Sequence, residues 1–316
     1  TYNLREQSNS MDQKFLKYNK SQVLGCEVYT PEYQTAPLVF SSPHSGRDYP
    51  ADFVAASKLD AIVLRRSEDA FVDEIFASAT NFGAPLLCAL FPRAYVDANR
   101  EAYELDPTMF DGPMPSHVRT KSPRITAGLG TVPRVVSEGI EIYRDKLKYD
   151  NARSRIERFH RTYHQTLNHL IKLTKADFGG AILIDCHSMP SFGSPGVRSH
   201  SLKNVDIVLG DNHGNSCATK ITDAAEDAVA AMGYRVKRNI PYAGGFITRY
   251  YGQPTKGVHG LQIEINRSLY MDELTIQRGP GLSTLIRDMK HLIQTLAEIA
   301  PTIINSQAMP RSEAAE

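Results

Sequence analysis

The chain has 316 residues, 41% of them apolar, with 36 basic against 35 acidic side chains and a formal net charge of +1. Such a length and apolar content suffice for one large α/β unit or two small ones with a sizeable core. The balanced charge argues against nucleic acid or an acidic membrane surface as partner, so basic character in any pocket must be local. No apolar run approaches the roughly 20 residues needed to span a bilayer, and no signal-peptide pattern opens the chain. Cys26, Cys88, Cys186 and Cys217 are scattered without CxxC spacing. A reduced, cytoplasmic protein is the expectation.

Residues 1–36 are mostly polar and read as an N-terminal extension, partly disordered, with an edge strand near Val23 to Tyr29. A first core strand follows from Pro37 to Ser42 and breaks at Pro43-His44-Ser45-Gly46, where glycine permits a tight turn. From Asp60 to Phe82 apolar residues recur at three- and four-residue spacing, which predicts one helix carrying Glu68, Asp69 and Asp73. A strand over Leu86 to Phe91 leads into Pro92-Arg93 and Asp97-Ala98-Asn99-Arg100. Residues 101–136, rich in Pro, Gly, Ser and Thr, are too long for an ordinary connection and read as a lid or binding loop. A long helix or helical pair over 140–176 carries His160, His164 and His169, read as a solvated face because no HExxH pattern accompanies them.

Gly179-Gly180 introduces the central strand, Ala181-Ile182-Leu183-Ile184, which ends in Asp185-Cys186-His187-Ser188. Beyond a Pro/Gly/Ser loop from Met189 to Arg198 come a strand over Val205 to Leu209 and a helix to Met232, capped by Asn215 or Ser216. Strands over Tyr234 to Ile240 and Val258 to Ile265 follow, then an amphipathic helix from Leu282 to Ala300. Strands alternating with long helices predict a single α/β domain over 37–300, its mixed, mostly parallel sheet covered by helices on both faces. Residues 301–316 read as a flexible tail.

Open α/β sheets keep their sites at the carboxyl ends of strands, and two strands here end in a histidine. Catalytic zinc takes three ligands from His, Asp and Glu and leaves one position open. His44 and His187 are the natural ligands, with a third acid from the Glu68-Asp69 cluster. Glu264, in the apolar strand Leu261-Gln262-Ile263-Glu264-Ile265, is the candidate general base, since burial raises a carboxyl pKa toward the useful range. Asn99-Arg100, Arg249 and Arg93 offer anion recognition, and Asp185 is placed to orient His187.

Taken together, Ser42-Pro43-His44-Ser45-Gly46, the Glu68-Asp69 to Asp73 stretch, Phe91-Pro92-Arg93 through Arg100, Asp185-Cys186-His187-Ser188, Gly244 to Gly252 and Gly257 to Glu264 resemble the N-formylglutamate amidohydrolase family. The similarity runs from about Pro37 to Met271. It implies a phosphorylase/hydrolase-like fold related to zinc carboxypeptidases, and hydrolysis of N-formyl-L-glutamate to formate and glutamate in histidine degradation. By that likeness His44, His187 and Asp69, with Glu68 as the alternative to Asp69, hold zinc, and another divalent metal such as cobalt, iron or manganese is compatible. Glu264 then matches the catalytic glutamate, and Asn99, Arg100 and Arg249 the carboxylate-binding residues of a small N-acyl amino acid site. Asp-Cys-His-Ser stands where Asp-Ala-His-Ser is expected. The segments 191–205 and 101–136 match less clearly and read as specificity loops. A zinc amidase for another N-acyl amino acid or a peptidoglycan amide, and a non-catalytic acyl-amino-acid binding protein, are the competing readings.

Overall fold

Continuous apolar runs set the central strands of the structure, a computed structural model that describes residues 18–136, 139–191 and 204–308. Residues 1–17 of the polar opening, most of the loop expected after the central strand and the end of the expected tail lie outside those residues. The strands are β1 (Tyr18–Val23), β2 (Cys26–Pro31), β3 (Leu38–Ser42), β4 (Leu86–Ala89), β5 (Ala181–Met189), β6 (Ile207–Gly210), β7 (Val236–Arg238) and β8 (Val258–Asn266). They form one sheet in the order β1-β2-β4-β3-β5-β8-β6-β7. Strands β4, β3, β5 and β8 run parallel to one another, so their carboxyl ends share one edge. An antiparallel hairpin, β1 and β2, closes one flank and antiparallel β6 the other.

Leu38, Phe40, Ile182, Ile184, Leu261 and Ile263 are buried on one face, under the helices Thr219–Ala231 and Leu282–Ala308. Val39, Leu87, Ala181 and Leu183 fill the other, under the helix Arg161–Phe178. With both faces covered, the central strands are apolar throughout instead of alternating polar and apolar residues. This is the single α/β domain with a mostly parallel mixed sheet that the sequence pattern implied.

Several elements depart from expectation. The edge strand near Val23 is two strands that turn at Leu24-Gly25. The helix over 140–176 begins at Tyr149, passes through a π-turn at Ile156–His160 and ends at Phe178. The helix expected from Asn215 or Ser216 starts at Thr219; the Ser216 hydroxyl donates instead to the Gly260 carbonyl at 2.9 Å. The last helix continues past Pro301 to Ala308.

The most consequential departure is at Asp60 to Phe82. Three short pieces, Ala61–Arg65, Val72–Ile75 and Ala77–Phe82, replace one helix. Glu68 and Asp69 lie in the break, where Phe71 adopts a left-handed φ of 67° that a continued helix does not allow. Asp69 and Asp73 therefore share no helix face, and Asp73 pairs with Arg47 at 2.9 Å.

Candidate metal centre and active site

Beyond β3 the chain turns through Pro43 to Gly46 across the end of β4. A Cβ on Gly46 would lie 2.2 Å from the Phe91 carbonyl oxygen, so only glycine allows this approach. The turn delivers His44 over the sheet edge, and the His44 carbonyl accepts the Asp69 N–H at 3.0 Å, which fixes the break in the helical segment against it. On β5, Asp185 and His187 are two apart and so continue the face on which Ala181 and Leu183 are buried. Strand β8 sets Gln262 beside Asp185 and Glu264 beside His187. Four segments distant in sequence thus meet at one edge.

There His44 Nδ1 and His187 Nδ1 stand 3.1 Å apart, and Asp69 Oδ2 lies 3.3 and 3.1 Å from them. All three residues are buried. Two imidazole nitrogens at that distance cannot both direct protons at each other, whereas donors each about 2.1 Å from one tetrahedral ion stand roughly 3.4 Å apart. The triangle fits a single divalent cation. The outer nitrogens also face carboxylates: His44 Nε2 hydrogen-bonds Asp97 Oδ1 at 2.7 Å, and Asp185 Oδ1 lies 2.9 Å from His187 Nε2 as an ion-pair neighbour. Such carboxylates fix ring orientation and strengthen the imidazole as a ligand. Arg267 holds the second oxygen of Asp69 at 2.8 Å. Glu68 takes no part, being turned away to Arg65 at 2.9 Å and to the Tyr49 hydroxyl at 2.7 Å.

Charge in the cluster follows from these contacts. Burial pushes the Asp69 carboxyl up, but hydrogen bonds from His187 and His44, with the charge of Arg93, outweigh it and hold the group well below the usual range. Burial likewise opposes ionisation of Asp97 and is overcome by Arg100, His44 and Arg93. Burial disfavours the His187 cation, yet Asp185, Asp69 and Glu264 raise its pKa well above the ordinary value. The acids favour positive charge at this point, which a divalent ion would supply in place of the proton. Glu264 is pushed up to about 7 by burial, with His187 opposing and Asp69 reinforcing the shift. Its Oε1 accepts from Gln262 Nε2 at 2.9 Å.

A cavity of about 450 Å³ opens over this edge, lined by His44, His187, Glu264, Arg93, Asn99, Arg100 and Arg249 among others. Arg93 donates to Asp97 at 2.9 Å, and Arg100 donates to the carbonyls of Leu129 and Asn99, each at 2.8 Å. Burial pulls the Arg100 guanidinium down to about 10. Asn99 reaches His187 Nε2 at 3.0 Å through Nδ2 and accepts the Ile247 N–H at 2.8 Å through Oδ1. Arg249 sits exposed on the helix Phe246–Tyr251, its Nη1 3.4 Å from the Gly244 carbonyl.

The solvated face expected at His160, His164 and His169 holds only for His169. His160 Nε2 donates to the Arg100 carbonyl at 2.9 Å and His164 Nε2 to that of Ala98 at 2.8 Å. The two histidines grip the backbone on either side of Asn99. Asp97, Arg267 and these histidines escaped the sequence reading because their parts come from contacts with distant segments. Asp97 left a trace, as an acid two residues before Asn99 in the segment that follows β4.

A model of the N-formylglutamate amidohydrolase family matches residues 36–271. An N-formylglutamate deformylase of Pseudomonas aeruginosa is 32% identical over 257 residues, 78% of this chain and 86% of that protein. One of Pseudomonas putida is 28% identical over 245 residues, 75% of this chain and 82% of that protein. The crystal structure of N-formylglutamate amidohydrolase from Ralstonia eutropha JMP134 matches with a TM-score of 0.81 and 34% identity, covering 89% of this chain and 99% of that one. The Agrobacterium tumefaciens gene product Atu2144 shares the fold at a TM-score of 0.62 and 17% identity, over 87% of this chain and 96% of that one.

Proposed function

The chain belongs to the N-formylglutamate amidohydrolase family, and on that premise we propose that it hydrolyses N-formyl-L-glutamate to formate and L-glutamate. The observation that carries the reading is the convergence of His44, Asp69 and His187 in one cavity with Glu264 on the strand beside His187. His44 Nδ1, Asp69 Oδ2 and His187 Nδ1 are the atoms that would hold the metal, zinc in this reading, with cobalt, iron or manganese compatible with the same donors. A bound divalent ion supplies a Lewis acid for the formyl carbonyl and lowers the pKa of water toward about 7.

The chain's own groups do the rest. Glu264 takes a proton from the attacking water and returns it to the glutamate nitrogen as the C–N bond breaks. Asp97 and Asp185 keep both imidazoles turned inward, and Arg267 keeps Asp69 in place. Arg93, Asn99, Arg100 and Arg249 line the wall that receives the substrate's carboxylates, where a guanidinium fork matches a carboxylate in both geometry and charge. The substrate is a small N-acyl amino acid, and by family likeness the reaction belongs to cytoplasmic histidine degradation.

The test is formate release from N-formyl-L-glutamate by the zinc-loaded protein, beside a His187→Ala variant subjected to elemental analysis. The variant is expected to lose both metal and turnover. Zinc retained with full hydrolysis would overturn the assignment.

A further inference from the structure

We propose that Arg124 and Arg249 together seat the side-chain carboxylate of the substrate, so that residues 101–136 set the preference for an acidic acyl amino acid. This rests on the reading of the site as an N-acyl-glutamate hydrolase and adds to it a residue that neither motif nor spacing singled out.

Among the described residues five arginines line the cavity: Arg93, Arg100, Arg124, Arg249 and Arg267. Three of them also make contacts within the protein. Arg93 lies 2.9 Å from Asp97, and Arg267 is 2.8 Å from Asp69 and 3.1 Å from the Ser188 hydroxyl. Arg100 donates to the carbonyls of Leu129 and Asn99, which leaves other N–H groups for a ligand, and approaches Asp97 at 3.7 Å. Arg124, half-buried, makes no hydrogen bond or ion pair among the described residues. Among the described residues Arg249 makes only the long contact to Gly244. Both guanidiniums line the same cavity, and burial, then the charge of Arg249, pulls the Arg124 guanidinium down, with Glu104 and Asp97 opposing. A carboxylate placed between them relieves that repulsion and accepts from both forks.

Both walls are held before any ligand arrives. Arg124 lies in the short turn Pro123–Thr126, capped by Ser122, whose Oγ accepts the Ile125 N–H at 3.1 Å and whose hydroxyl donates to Glu104. Arg100 ties the same segment to the metal side through Leu129. The helix bearing Arg249 is tied there too, by the Ile247 N–H to Asn99 and by the Thr248 hydroxyl to Asp185 at 3.0 Å. Gly245 allows the first of these ties, since a Cβ there would lie 2.2 Å from Asn99 Nδ2. With the backbones that bear the two arginines fixed in advance, only the side-chain rotamers are ordered on binding, which favours a ligand whose two ends match the cavity.

The experiment compares N-formyl-L-glutamate with N-formyl-L-glutamine, equal in size but neutral at the side chain, on wild type, Arg124→Gln and Arg249→Gln. Each variant is expected to lose at least about tenfold in kcat/KM for the glutamate substrate, carried by KM, while the glutamine substrate changes by less than roughly twofold. Calorimetric binding of L-glutamate and L-glutamine to the purified proteins reads the same difference without turnover. Equal losses for both substrates, or no loss for either, would overturn the proposal. If wild type releases no formate, yet L-glutamate binding weakens selectively in Arg124→Gln, the arginine seat stands and the hydrolase reading falls.

Discussion

Glu264 shows what one residue owes to its position on a strand. The sequence marks it as an acid inside an apolar run, which is costly unless the group is partnered or used. The β5–β8 register then places it next to His187, with Gln262 holding one oxygen. Glu264→Gln preserves shape and removes the proton acceptor. The expected result is a loss of about 10²–10⁴ in kcat with metal content unchanged; a variant at the wild-type rate would end Glu264's candidacy. The choice between Glu68 and Asp69 had no such marker. It is made by the left-handed backbone at Phe71 and by the Asp69 N–H bound to the His44 carbonyl, neither of which leaves a spacing rule in the chain. Arg267 was equally hidden, because its partners Asp69 and Ser188 are brought to it only by folding.

At the scale of elements, strands were easier to read than helices. An apolar run ending in a histidine can be recognised locally, and β3 and β5 fell where such runs predicted. Helical periodicity over Asp60 to Phe82 misled because a broken segment with buried Val72, Ile75 and Phe76 keeps the same spacing. Periodicity also hid the buried work of the helix Arg161–Phe178 and the π-turn before it. Burial lowers the pKa of His160 and pulls His164 down to about 3, with His160 adding to the effect on His164. Folded, His164 stays neutral down to about pH 3; unfolded, it takes a proton below the ordinary value near 6.5. Between those limits the unfolded chain binds more protons, and stability falls as the pH drops, by up to about 1.4 kcal/mol per pH unit for His164, with His160 shifted in the same direction. Urea unfolding at pH 7 and pH 5 is expected to show a smaller loss for His164→Gln than for wild type. An identical pH dependence in both would mean that His164 titrates normally in the folded protein.

For the whole molecule, the alternation of strands and helices was enough to predict a sheet covered on both faces, and the parallel strands β4, β3, β5 and β8 explain why the site gathers at one edge. The flanks were less legible, because pairing direction at β2 and β6 depends on connections rather than on composition. The same topology makes the proposed metal a matter of global stability. Its donors stand 25 and 118 residues apart in sequence, so a bound ion closes two long loops through buried ligands that the unfolded chain does not assemble. A ligand present at a hundred times its Kd adds about 2.7 kcal/mol to the folded state. Stripping the purified protein with a chelator should therefore lower Tm by several degrees, with recovery on adding zinc, whereas His187→Ala should show no response to either. An unchanged Tm after metal loss has been verified by elemental analysis would mean that the three donors do not hold the ion.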